Sequence, residues 1–73
     1  MERVGHWWNG SWGALTRRDV ELFAGRGRWR VIARQGGAEG RERVWEYDSE
    51  QQARSWVRRC LDDQTGQWRQ MQD

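Results

Sequence analysis

The chain holds one histidine, His6, and one cysteine, Cys60. A structural zinc site takes four ligands, mostly of these two kinds, so no metal site is expected, and no cofactor. His6 stands beside Trp7 with no evident partner, and no Ser-His-acid set can be assembled around it. Cys60 falls on an apolar helical stripe, where a buried thiol is inert. The stretches GRG and GGAEG do not lead into a helix as a phosphate-cradling loop does. The carboxylates are scattered among arginines, with no isolated pair for acid–base work. The expectation is a protein that is not an enzyme.

Arginine is the chemistry that remains. All 13 basic residues are arginine, and four of them, Arg26, Arg28, Arg30 and Arg34, fall within GRGRWRVIARQGG among Trp29, Val31, Ile32 and Ala33. The guanidinium fork grips phosphate bidentately and stacks on aromatic rings. The net charge is only +2, and a genome rich in G and C would also favour arginine codons. The stretch reads either as a basic strand made to hold a nucleic acid or as a half-buried strand in an arginine-rich protein.

A chain of 73 residues is one domain and buries only about 60% of its unfolded surface. Seven tryptophans, each able to bury roughly 150–250 Å², supply core area that the low apolar count does not. The single cysteine leaves no internal disulfide and points to a reducing cytoplasm. No stretch approaches the ~20 apolar residues of a membrane span, and the first residues lack a signal-peptide core. No membrane partner is expected.

Asn9-Gly10 within HWWNGSW is a two-residue hairpin signal. It predicts a Trp-rich hairpin or flap over residues 1–15, with Trp8 and Trp12 facing each other across it. The flap reads as an aromatic platform for bases or sugars, or as a cover for a sheet face. Residues 16–73 are then the domain proper.

Three strands are predicted over DVELFAG, RGRWRVIARQ and RERVWEY, joined by turns at 24–27 and at GGAEG. Alternation sends Val20, Leu22, Trp29, Val31, Ala33, Trp45 and Tyr47 to one inner face. The outer face carries Glu21, Phe23, Arg28, Arg30, Ile32, Arg34, Glu42, Val44 and Glu46. In an antiparallel meander those arginines lie between glutamates, pairs worth about 0.2–1 kcal/mol each. Phe23, Ile32 and Val44 line up as an apolar stripe that asks for a cover: the flap, a second subunit or a ligand.

DSEQQARSWVRRCLDDQTG predicts the helix. Ser49 and Gln52 have capping-box spacing, and Ala53, Trp56, Val57, Cys60 and Leu61 form one continuous stripe. Glu50-Arg54-Arg58-Asp62 and Arg59-Asp63 make a solvated i,i+4 ladder. Gly66 is a natural stop, and Trp68 in QWRQM folds back onto the core.

The fold class is therefore α+β: a three-stranded antiparallel meander packed on one C-terminal amphipathic helix, with an N-terminal flap. This order, carried by RWRVIARQGG and RVWEYDSEQQARSWV, resembles the three-strand-plus-helix DNA-binding domain of plant ethylene-response factors and integrase arm-binding domains. That resemblance implies that Arg28, Arg30 and Arg34 lie on a DNA-facing sheet. The helix entry YDSEQQA and exit TGQW are also similar to those of the WGR domain, at whose signature tripeptide this chain has Ile32-Ala33-Arg34. Together these readings predict a DNA-binding module using Arg26, Arg28, Arg30 and Arg34. The alternative is a protein-interaction or homodimer module using Trp8, Trp12, Phe23, Ile32 and Val44.

Overall fold

Apolar and charged residues alternate along residues 18–25, 28–35 and 41–47, and each segment is an antiparallel strand in a computed structural model that describes residues 1–10, 13, 17–36, 40–62 and 68–71. The elements are β1 (Glu2–Trp8), β2 (Arg18–Gly25), β3 (Arg28–Gln35), β4 (Arg41–Tyr47), the helix α1 (Glu50–Asp62) and β5 (Arg69–Gln70). The strands form one sheet in the order β4-β3-β2-β1-β5. The α+β class holds, but among the described residues the sheet has five strands rather than three.

The two added strands come from the chain's ends. Residues 2–8 are not a flap; they pair with β2 along their length, from Glu2 opposite Ala24 to Trp8 opposite Asp19. The alternation expected of a strand is masked by a bulge between Arg3 and Gly5, which inserts Val4 and reverses the side-chain phase. Arg3 therefore shares the outer face with Glu21, while Gly5 and Trp7 turn inward. A Cβ on Gly5 would overlap the Trp7 ring, so the bare backbone is what lets that indole lie flat over it. Asn9-Gly10 does not close a two-residue hairpin. Asn9 exchanges hydrogen bonds with Arg18, its N–H donating to the Arg18 carbonyl at 3.1 Å and its Oδ1 accepting from the Arg18 N–H at 3.0 Å. Trp8 thus faces Asp19; Trp12, and the domain division expected at residue 15, lie outside the described residues. β5 pairs with β1 at Trp7 and Trp8, and the Met71 N–H donates to the His6 carbonyl at 2.8 Å.

The β2–β3 hairpin turns at Arg26-Gly27, where Gly27 takes the left-handed φ of 67° that L side chains avoid. Its register pairs Val20 with Ala33 and Leu22 with Val31. The helix begins at Ser49, whose Oγ accepts from the Gln52 N–H at 3.3 Å. Ala53, Val57 and Cys60 face the sheet and join Val20, Leu22 and Val31 in the core, ringed by Trp7, Trp29, Trp45, Tyr47, Trp56, Leu61 and Trp68. The predicted inner face and helical stripe meet as expected. In the ladder, Arg54 donates to Glu50 at 2.8 Å; Asp63 and the stop at Gly66 lie outside the described residues.

Candidate functional site

The outer face is a lattice of ion pairs. Arg30 donates twice to Glu46 Oε1, at 3.0 and 2.6 Å, and Arg28 approaches the same carboxylate at 3.8 Å. Arg34 bridges Glu42 at 3.1 Å and Glu21 at 3.5 Å, and Arg3 donates to Glu21 at 3.0 Å. The two Arg30 hydrogen bonds and the guanidinium charge hold the Glu46 carboxyl below its ordinary range. Arg26 stands exposed at the hairpin tip. Three of the four arginines expected to contact nucleic acid are thus already engaged with carboxylates, as the register of β3 between β2 and β4 requires.

The apolar stripe expected across this face is stepped. Ile32 opposes Val44 directly, while Phe23 pairs with Arg30, one row away. Ile32 is buried and Phe23 half-buried, leaving Val44 exposed. Trp8, also on this face, is buried, and the Arg17 guanidinium stacks over it at 5.6 Å.

His6 has the partner that the sequence did not reveal. Its Nε2 lies 2.8 Å from Asp19 Oδ2, and Arg17 Nε donates to Asp19 Oδ1 at 2.8 Å. Burial pushes the Asp19 carboxyl up, but the hydrogen bonds and charges of Arg17 and His6 outweigh it and leave the group below its usual value. An ionised carboxylate accepts only, so Nε2 carries the proton of that bond. The bulge explains why the pair escaped detection: a flap would have put His6 away from β2.

The second cluster of arginine lies where the helix stops short of the sheet's end. Arg18, Gln35 and Arg41 occupy one row across β2, β3 and β4, and Arg43 pairs with Ala33 in the next row. By alternation with Val20, Val31 and Trp45 these side chains share the helix-side face. Arg59, in the last turn of α1, closes the opposite wall. The result is a cleft of about 390 Å³ whose walls carry five arginines, Arg18, Arg34, Arg41, Arg43 and Arg59, against one carboxylate, Asp19. Asp19 is already held by His6 and Arg17. Among the described residues no carboxylate lies within ion-pair distance of Arg41, Arg43 or Arg59. Three like charges with no carboxylate beside them among the described residues attract anions. Sequence reasoning passed over it because alternation puts Arg18, Arg41 and Arg43 on the helix-side face but does not bring Arg59 of the helix up against them.

Trp45 and Trp56 form the apolar part of this cleft, with ring centroids 5.0 Å apart and planes tilted by 55°. Arg59 lies over Trp56 at 5.8 Å, a cation–π contact that holds its guanidinium at the rim. On the far side of Trp56 and Arg59 is a second cavity of about 400 Å³, lined by Tyr47, Gln51, Gln52 and Ser55 together with those two residues. Trp56 Nε1 is buried and has no hydrogen-bond acceptor among the described residues.

Among the described residues no three of His, Cys, Asp and Glu gather where a metal ion could sit, and no helix is long and apolar enough to cross a membrane. In comparisons with protein-family models, curated proteins and solved structures, nothing matches the chain.

Proposed function

We propose that the chain is a non-enzymatic DNA-binding module that holds the phosphate backbone in the arginine cleft. The observation that carries this reading is a cleft lined by Arg41, Arg43 and Arg59, for none of which a carboxylate lies within ion-pair distance among the described residues, in a chain whose net charge is only +2. Arginines already bonded to glutamate must break those bonds before taking a phosphate. Among the described residues Arg41, Arg43 and Arg59 have no such bonds, so the favourable contacts fall in the cleft rather than on the outer face.

Fluorescence anisotropy with a labelled duplex across a salt series tests it. If Arg18, Arg41, Arg43 and Arg59 each take one phosphate, the log–log slope is about −3.6, at roughly −0.9 per phosphate. Arg41→Gln with Arg43→Gln flattens it by about 1.8 on the same basis. Arg28→Gln with Arg30→Gln changes it less. A slope near zero, or no binding at low salt, overturns the reading. A larger loss from the Arg28 and Arg30 pair moves the contact to the outer face.

A second reading, self-association, is favoured by one observation. β4 is an edge strand of seven residues, no strand among the described residues pairs with its outer edge, such an edge is a template for a further strand, and Val44 on it is 48% exposed.

A further inference from the structure

The arginine cleft and the cavity beside it share one wall, made of Trp56 and Arg59, and their linings differ in kind. The first offers guanidinium groups. The second offers two aromatic rings, Tyr47 and Trp56, two carboxamides, Gln51 and Gln52, and the Ser55 hydroxyl. Carboxamides and hydroxyls supply donors and acceptors without charge, and aromatic faces stack on bases of any sequence. Phosphate chemistry thus lies next to base chemistry.

Resting on the DNA reading above, we infer that the two cavities together take a single strand, its phosphates among Arg41, Arg43 and Arg59 and an unpaired base in the pocket of Tyr47, Gln51, Gln52 and Ser55. A duplex can reach the arginines but cannot place a base in that pocket, since its bases are stacked and paired inside the helix and extruding one is costly. The two cavities, of about 390 and 400 Å³, fall in the size range of small-ligand sites. Guanidinium, ring and carboxamide are the groups that single-strand binders use for backbone, base face and base edge.

The test measures anisotropy of labelled oligomers of roughly 12 nucleotides: a thymidine strand, a uridine strand and a DNA duplex. Wild type is compared with Gln51→Ala/Gln52→Ala, with Ser55→Leu, which fills the pocket, and with Arg41→Gln/Arg43→Gln. Gln51, Gln52 and Ser55 are exposed on the helix, so these variants keep the fold, which circular dichroism verifies. The expected result is a loss of about tenfold in single-strand affinity for both pocket variants, the scale of one or two hydrogen bonds to a base edge for the glutamines and of one stacked base for the filled pocket, with duplex affinity unmoved. The arginine variant weakens both. A uridine strand with the same dependence on Gln51 and Gln52 upholds the inference and shifts the sugar to ribose. Duplex binding as tight as single-strand binding, or pocket variants that leave the strand unaffected, overturns the inference while the cleft reading survives. Absence of any binding at low salt brings down both.

Discussion

Ile32 and Val44 lie directly opposite each other on adjacent strands, yet Ile32 is 9% exposed and Val44 48%. Their surroundings differ because β3 has neighbours on both sides and β4 on one. The ion-paired side chains of Glu21, Arg30 and Arg34 flank Ile32. Val44 stands at the sheet's rim. The two positions answer different questions when substituted. Ile32→Ala costs about 2–5 kcal/mol in denaturant unfolding, the range for a buried aliphatic. Val44→Glu leaves stability within about 0.5 kcal/mol and is the clean probe of self-association. Light scattering that finds the same mass for wild type and Val44→Glu at every concentration rules out a dimer built on that residue.

The Asp19 carboxyl ties β1 to β2 through His6 and to the adjoining segment through Arg17. Its usual value is 3.8, and the folded chain holds it lower. A carboxyl with a lower value folded than unfolded stabilises the fold above the unfolded value and loses that contribution as pH falls through the folded one. Stability should therefore decline as pH drops below about 4. Asp19→Asn should cost about 1–3 kcal/mol at neutral pH and flatten the acid limb. Urea midpoints measured down the pH scale decide it; an equally steep acid limb in the variant would refute the assignment.

Gly5→Ala places a methyl group where the Trp7 ring lies. The ring must move off the core, at a cost of about 1–3 kcal/mol, as for other overpacking. Trp7→Leu frees that space, so the double variant should lose less than the sum of the two single changes. Strict additivity in thermal melts would mean that the ring and the glycine are not coupled.

Glu46→Gln releases Arg28 and Arg30 from their shared carboxylate. If DNA sits in the arginine cleft, its affinity hardly changes, because the freed guanidinium groups point away from the bound backbone. A marked gain in affinity, with a steeper salt dependence, would put the outer face in contact with DNA instead.

The helix was legible in full at its start and along its stripe, because Ser49, Gln52 and the Ala53-Val57-Cys60 spacing are local signals. The faces of β2, β3 and β4 were legible for the same reason: Val20, Leu22 and Val31 alternate without interruption. The arginine–glutamate pairing of the outer face followed from that register. β1 was not legible, since the bulge at Val4 breaks its period and Asn9-Gly10 mimics a hairpin turn. β5, of two residues, has no period to read. The arginine cleft was missed because it depends on where the helix ends relative to the strand ends, a tertiary relation between Arg59 and the row of Arg18, Gln35 and Arg41. The His6–Asp19 pair was hidden by the same bulge.

The extra residue in β1 lets Arg3 and Gly5, two apart in sequence, lie on opposite faces, because their partners Phe23 and Leu22 are neighbours on β2. Removing Val4 would make Arg3 and Gly5 neighbours too, so the arginine stays on the wet side and the glycine and the indole stay inside. β3 has no such spare residue against β2 or β4, and losing one from its middle would turn part of that strand over. Shortening by one residue at Val4 should thus be far better tolerated than shortening at Ile32.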